Sequence, residues 1–173
     1  MKRIHLIVLT FILFLGRLAP AGEAAIKYTA LQPEPQHPRV TQLVTQILLR
    51  NHYRQLDLND SLSAQVYNNL LEILDYNKSY FLKSDIESFK PFKYAFDNFL
   101  LSGRLDVPFT IFNTFQQRMA ERLAFVFKRL ETPFDFTKDE YYYPYRDSLD
   151  WAGSAAELDE FWRKRLKNEA LSL

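Results

Sequence analysis

An all-α fold follows from three observations on the 173-residue sequence. Apolar residues recur at three- and four-residue steps over several long stretches, the spacing of one helix face. Two tetrads, Ser84-Asp85-Ile86-Glu87 and Ser154-Ala155-Ala156-Glu157, have the form of capping boxes that open helices. Pro38 and Pro108 stand where a first helical turn tolerates a missing N–H. The architecture these imply is a five-helix irregular bundle over residues 37–173, with a long aromatic-rich strap between helices four and five. A signal peptide (residues 1–21) and an extended lead-in (residues 22–36) precede it.

The first residues read as an address. Lys2 and Arg3 form a basic start, Leu6 to Leu15 is an almost unbroken apolar run, and Ala19-Pro20-Ala21 fits the small-x-small pattern for cleavage after Ala21. As a helix the run spans about 15 Å against a hydrocarbon core of roughly 30 Å, too short to cross unaided. Retention as an anchor is the alternative, and Arg17 keeps it open. The chain has no cysteine, which excludes lipid anchoring through an N-terminal Cys, disulfides, a thiol nucleophile and thiolate metal sites. Cleavage removes Lys2, Arg3 and Arg17, taking the 22 basic residues to 19 against 21 acidic ones, a net charge of −2. That balance lacks the broad positive field that phosphate backbones require, so nucleic acid is not an expected partner. Membrane contact is expected only through an uncleaved signal peptide.

In chain order, Pro33 and Pro35 mark the lead-in as extended. Val40, Leu43, Val44, Ile47 and Leu48 form the stripe of the first helix, which delivers His52 to its C-terminal end. The second helix starts at Asn59 or Asp60, carries Leu62, Val66, Leu70, Ile73 and Leu74, and closes at Asp75-Tyr76-Asn77. The third runs from Ser84 to Ser102-Gly103 with Ile86, Phe89, Phe92, Phe96 and Phe99. Pro91 falls inside it at a cost of about 3 kcal/mol, but three phenylalanines beyond hold the phase, so a kinked, unbroken helix is expected. The fourth runs from about Asp106 to Glu131 with Phe112, Phe115, Met119, Leu123, Val126 and Leu130 as its stripe. Phe125 and Phe127 flank Val126 by about 100° on either side, a sector wide enough to need cover on more than one side. The fifth helix carries Leu158, Phe161, Trp162 and Leu166 and meets no stop signal before Leu173. Its Arg163-Lys164-Arg165-Leu166-Lys167 run reads as a solvated face.

Between the last two helices, Thr132 to Gly153 is long for a connection without structure of its own. Its Phe134, Phe136, Tyr141, Tyr142, Tyr143, Tyr145 and Trp151 support two readings: a strap laid across the helices, or a peptide-binding surface. A surface built from Tyr141, Tyr142, Tyr143, Tyr145, Trp151, Phe161 and Trp162 is the candidate partner or substrate site.

Several polar words occur in one order with tight spacing. They are His52-Tyr53-Arg54-Gln55, Leu58-Asn59-Asp60-Ser61-Leu62-Ser63, Leu74-Asp75-Tyr76-Asn77-Lys78-Ser79-Tyr80-Phe81 and Ser84-Asp85-Ile86. Phe112 to Arg118, Phe134 to Glu140 and Glu157 to Lys167 continue the series. The succession resembles the N-terminal region of the tail-specific, or carboxy-terminal processing, serine proteases of the bacterial periplasm, from about Tyr28 to the last residue. The resemblance implies a secreted, periplasmic protein whose parent cuts proteins chosen by apolar, unstructured C-termini. It also implies a serine nucleophile and lysine base on a protease domain that follows a PDZ domain, both beyond Leu173. The helical region then helps enclose those domains and limit substrate access, and no catalytic residue falls within this chain.

The residues themselves point the same way. His37 and His52 are far apart with no ligand-spaced companions, and His52 reads as a helix-end residue bonded to a carbonyl. Only Gly22, Gly103 and Gly153 survive cleavage, too few for a glycine-rich phosphate loop. Asp135, Asp139 and Glu140 lack EF-hand spacing and read as partners of nearby cations. Ser84 beside Lys83 has a capping explanation. No metal or cofactor is therefore expected, and the expected partners are the PDZ and protease domains of the parent, with a protein substrate or adaptor. A rival reading is a self-sufficient periplasmic module that binds protein or peptide through the strap; a decoy that competes with the full protease is a third. An unburied apolar face around Phe125, Phe127 and the fifth helix is expected of a piece of a larger protein.

Overall fold

A computed structural model describes residues 28–54 and 57–173; the signal peptide, its cleavage at Ala21 and the start of the lead-in lie outside the described residues. Six helices form among these residues: α1 His37–Asn51, α2 Asp60–Asp75, α3 Lys83–Phe89, α4 Phe96–Ser102, α5 Asp106–Leu130 and α6 Ala155–Leu171. The all-α expectation holds, and the count exceeds five because the third expected helix is two.

The division lies at Pro91. Helix α3 ends at Phe89, Lys90–Phe92 forms a 3-10 turn with Pro91 at its start, and α4 begins at Phe96. Proline has no N–H for the carbonyl four residues back and its ring crowds that carbonyl. The expected rescue by phenylalanine burial did not require a continuous helix. Phe89, Phe96 and Phe99 are all buried across the break, while Phe92 turns outward. Restarting the helix sets Phe96 edge-on to Tyr67 and to Phe99, with ring centroids 6.1 and 5.6 Å apart. Breaking the helix thus sacrificed little apolar burial.

Two other expectations shift in phase. Helix α2 is capped by Asn59, whose Oδ1 accepts from Leu62 N at 3.0 Å, and it buries Ser63, Tyr67, Leu71 and Asp75. Leu70 and Leu74 flank that face, and Ile73 is 81% exposed. Helix α3 opens two residues before the expected cap. Leu82 is the N-cap residue, and Asp85 Oδ2 accepts from its N–H at 2.9 Å, leaving Ser84 exposed. The second capping tetrad behaves nearly as read, with Ser154 Oγ accepting from Glu157 N at 3.2 Å and Glu157 Oε2 accepting from Gly153 N at 2.8 Å.

Helix α5 spans the domain. Its inner line is Val107, Ile111, Phe115, Arg118 and Arg122, so the apolar stripe becomes cationic halfway along. Arg118 grips Asp85 in a two-pronged pair, both contacts at 2.9 Å, and Glu121 at 2.8 Å. The buried Arg122 pairs with Asp159 of α6 and lies over Phe125, 5.3 Å from the ring centre. Leu123 and Leu130, expected on the inner stripe, are exposed.

The core has two clusters. Tyr67, Leu71, Phe81, Phe89, Phe96, Phe99, Val107 and Ile111 form the first, and Ala152, Leu158, Phe161 and Trp162 the second. Tyr80 and Phe115 join them, with Tyr80 5.4 Å from Phe115 and 5.7 Å from Trp162, and Phe115 5.9 Å from Phe81. Helix α1 rests on α4, where Gly103 at φ 70° closes α4 and a Cβ would stand 2.5 Å from the Pro38 carbonyl oxygen. The lead-in is tied to α5 by Asn113, whose side-chain amide exchanges two hydrogen bonds with the backbone of Leu31, at 2.8 and 2.9 Å.

Candidate functional site: the strap and the turn that anchors it

The seven residues Asp75 to Phe81 link α2 to α3, and the strap, α6 and the first cluster all converge on them. Asp75 ends α2 pointing inward and is 3% exposed. Its carboxylate accepts from the backbone N–H of Ser79 (2.7 Å), Tyr80 (3.2 Å) and Phe81 (2.9 Å), and from Trp151 Nε1 (3.3 Å). Burial pushes this carboxyl above its ordinary range, and the four N–H donors pull back against that push. To wrap the chain around one side chain in so few residues, Lys78 takes a left-handed conformation at φ 47°.

Besides Trp151, the turn and the start of α3 hold the strap at four points. Asn77 Nδ2 donates to the Pro144 carbonyl at 2.9 Å, and Asn77 Oδ1 accepts from Arg146 N at 2.8 Å, a side chain acting as a short piece of sheet. Lys78 Nζ donates to the Leu149 carbonyl and lies 4.9 Å from the centre of the Trp151 ring. Lys83 N donates to the Ala152 carbonyl at 2.9 Å beside an isolated parallel bridge between Leu82 and Ala152. Helix α6 reaches the same turn through Trp162 Nε1, which donates to the Ser79 carbonyl at 2.7 Å.

The outer half of the strap is clamped by the basic run of α6. Glu140 receives Arg163 and Lys167, the latter at 2.8 Å, and Lys167 Nζ also donates to the Lys138 carbonyl at 2.8 Å. These cations pull the Glu140 carboxyl from an ordinary 4.5 down to about 2. The expected solvated face is therefore corrected: Lys167 is buried, and Arg165 lies over the Trp162 ring at 4.8 Å. Sequence reading missed this because a run of cations carries no mark of an acid placed 23 residues earlier. Arg146, buried over Phe161 at 4.7 Å, was missed likewise.

The candidate surface residues separate by exposure. Phe161 and Trp162 pack inward at 8% and 9% exposure. Tyr142 and Trp151 are half-buried against the two core clusters. Tyr141, Tyr143 and Tyr145 stand out at 91%, 59% and 71%, with Tyr143 and Tyr145 edge-on to each other at 6.4 Å. Beside them runs an open groove of about 460 Å³ lined by Tyr76, Asn77, Tyr80, Tyr142, Pro144 and Arg165. Over residues 141–146 the strap thus turns Tyr141, Tyr143 and Tyr145 outward and Tyr142 and Arg146 inward, on a backbone pinned at both ends.

Lys83 pairs with Asp150 at 2.8 Å, and that carboxylate raises the lysine's pKa, the reverse of what a lysine base needs. At the end of α1, His52 Nδ1 lies 3.1 Å from the Arg54 carbonyl oxygen and 3.2 Å from its backbone nitrogen, so the ring closes a turn. Asp135 accepts from Thr137 N and Oγ in a local turn. Among the described residues no three His, Asp or Glu side chains are grouped as metal ligands, and no helix is long and apolar enough to cross a membrane.

Comparison with known proteins identifies the architecture. Residues 44–173 match the family model described as the tail specific protease N-terminal domain. Over 150 residues, 86% of the chain, the sequence is 27% identical to the tail-specific protease of Haemophilus influenzae, of which the match covers 21%. The chain spans about a fifth of the length of that relative. Since the family model takes in α2 to α6, the anchoring turn and the whole strap, the chain belongs to the tail-specific protease N-terminal domain family.

Proposed function

We propose that this chain serves as the non-catalytic helical N-terminal domain of a periplasmic tail-specific serine endopeptidase. In that role it helps enclose the PDZ and protease domains and limits which apolar, unstructured C-termini reach them. The observation that carries the reading is the family match over residues 44–173, together with a much longer relative that is itself a tail-specific protease. The apolar run after Lys2 and Arg3, with Ala21 at the cleavage point, supports export to the periplasm. Purified chain is expected to leave a peptide with an apolar C-terminal tail uncut over hours at neutral pH. Cleavage that persists through a second purification and tracks with the protein peak overturns the reading.

The exposed Tyr141, Tyr143 and Tyr145 beside the groove at Tyr142 and Pro144 favour a second reading, in which the strap itself binds an extended protein or peptide segment. It predicts that a fluorescent peptide with an apolar tail binds the purified chain and that replacing these three tyrosines with serine weakens binding without lowering the unfolding midpoint.

A further inference from the structure

Helix α1 sits on the domain with its amphipathic sense reversed. The side that meets α4 carries Thr41, Gln42 and Thr45; Thr45 is its only buried residue, and Gln42 Nε2 donates to the Leu101 carbonyl at 3.4 Å. The opposite side carries Val40, Leu43, Val44, Ile47 and Leu48, each 47–55% exposed. Five apolar side chains at i, i+3, i+4, i+7 and i+8 form a seam of the kind one helix presents to another. A packed domain that turns threonine inward and valine, leucine and isoleucine outward leaves a patch that water does not favour.

Charge says what fits on it. Helix α1 contains no acidic residue, and Arg39 and Arg50 project about 80–100° to the same side of Val40, roughly 16 Å apart along the axis. Both are exposed, and neither pairs with another described residue. A second copy laid antiparallel on the seam would bring Arg39 against Arg50, which disfavours that occupant. A lipid surface would be met by two cations and no aromatic side chain on the seam, poor equipment for an interfacial helix.

We propose that the outer face of α1 is the docking surface for an amphipathic helix from outside this chain, one that carries acidic residues along a single edge. The family model begins at residue 44, so it takes in only the second half of this seam, and the inference stands independently of the protease reading.

The probes are two synthetic helical peptides of equal length with leucine and isoleucine on one face. One has glutamates along the edge that meets Arg39 and Arg50, and the other has lysines there. Titrated against the full chain by fluorescence anisotropy, the glutamate peptide is expected to bind about tenfold tighter than the lysine peptide. The double variant Arg39→Glu with Arg50→Glu reverses that order, and Ile47→Glu abolishes binding of both peptides while the unfolding midpoint holds. Absence of binding, or an affinity indifferent to peptide charge, overturns the proposal. So does sedimentation showing self-association that Ile47→Glu removes, which assigns the face to a second copy. Vesicle binding lost in the same variant assigns it to lipid, and a crosslinker at Val44 that captures residues 4–15 assigns it to the chain's own start.

Discussion

Asp75 shows how one side chain organises its neighbours. Its two oxygens receive four N–H donors, and an amide in its place offers one acceptor and turns an NH₂ group toward donors. Asp75→Asn is expected to cost about 2–3 kcal/mol in urea unfolding, the cost of leaving buried donors unmet. Glu140 makes a pH prediction. Its folded pKa is depressed, so its contribution is present above the unfolded value of 4.5 and disappears as pH falls toward about 2. The gap in urea midpoint between the wild-type chain and Glu140→Gln should be widest above pH 5 and close across that window. Neither role was legible beforehand. Asp75 read as the end of a helix and Glu140 as a generic partner for cations, because both act on groups brought near by the fold.

At the scale of elements, the sequence was read best where the signal is local. Asn59, one of the two expected starts of its helix, and Ser154 act as caps, and Pro38 and Pro108 sit in first turns. Phase was read less well. The centre of the α2 face lies on Tyr67 and Leu71, since a half-polar tyrosine can be buried while Ile73 is left outside. Past Phe115 the α5 stripe holds at Val126 but fails at Leu123 and Leu130, because arginines, apolar in their stems, take over the inner line at Arg118 and Arg122. Pro91 and phenylalanine burial do not compete, because a broken helix satisfies both. Gly103 governs the seating of α1 on α4. Gly103→Ala should lose about 2–3 kcal/mol from left-handed strain and the clash with Pro38, read as a lowered midpoint in chemical unfolding.

Across the whole molecule, the expectation of an unburied apolar face around Phe125, Phe127 and the last helix holds only in part. Phe125 packs partly against the second cluster, and Phe161 and Trp162 are buried. Phe127, with Leu123 and Leu130, stays outside on α5, and the seam of α1 stays outside elsewhere. The folded chain should therefore bind a hydrophobic dye under native conditions. Phe127→Glu should reduce that signal while shifting stability by no more than about 0.5 kcal/mol, measured by dye titration alongside urea unfolding. The turn at Asp75 has a further consequence in time. Its ring donors lie 76 residues downstream of Asp75 and 83 downstream of Ser79. While a ribosome is still extending the chain, α1 to α5 can coil, yet the knot that holds them stays untied until both tryptophans have emerged. Docking of Trp151 and Trp162 onto this turn, rather than the coiling of the early helices, is then the step that completes the domain.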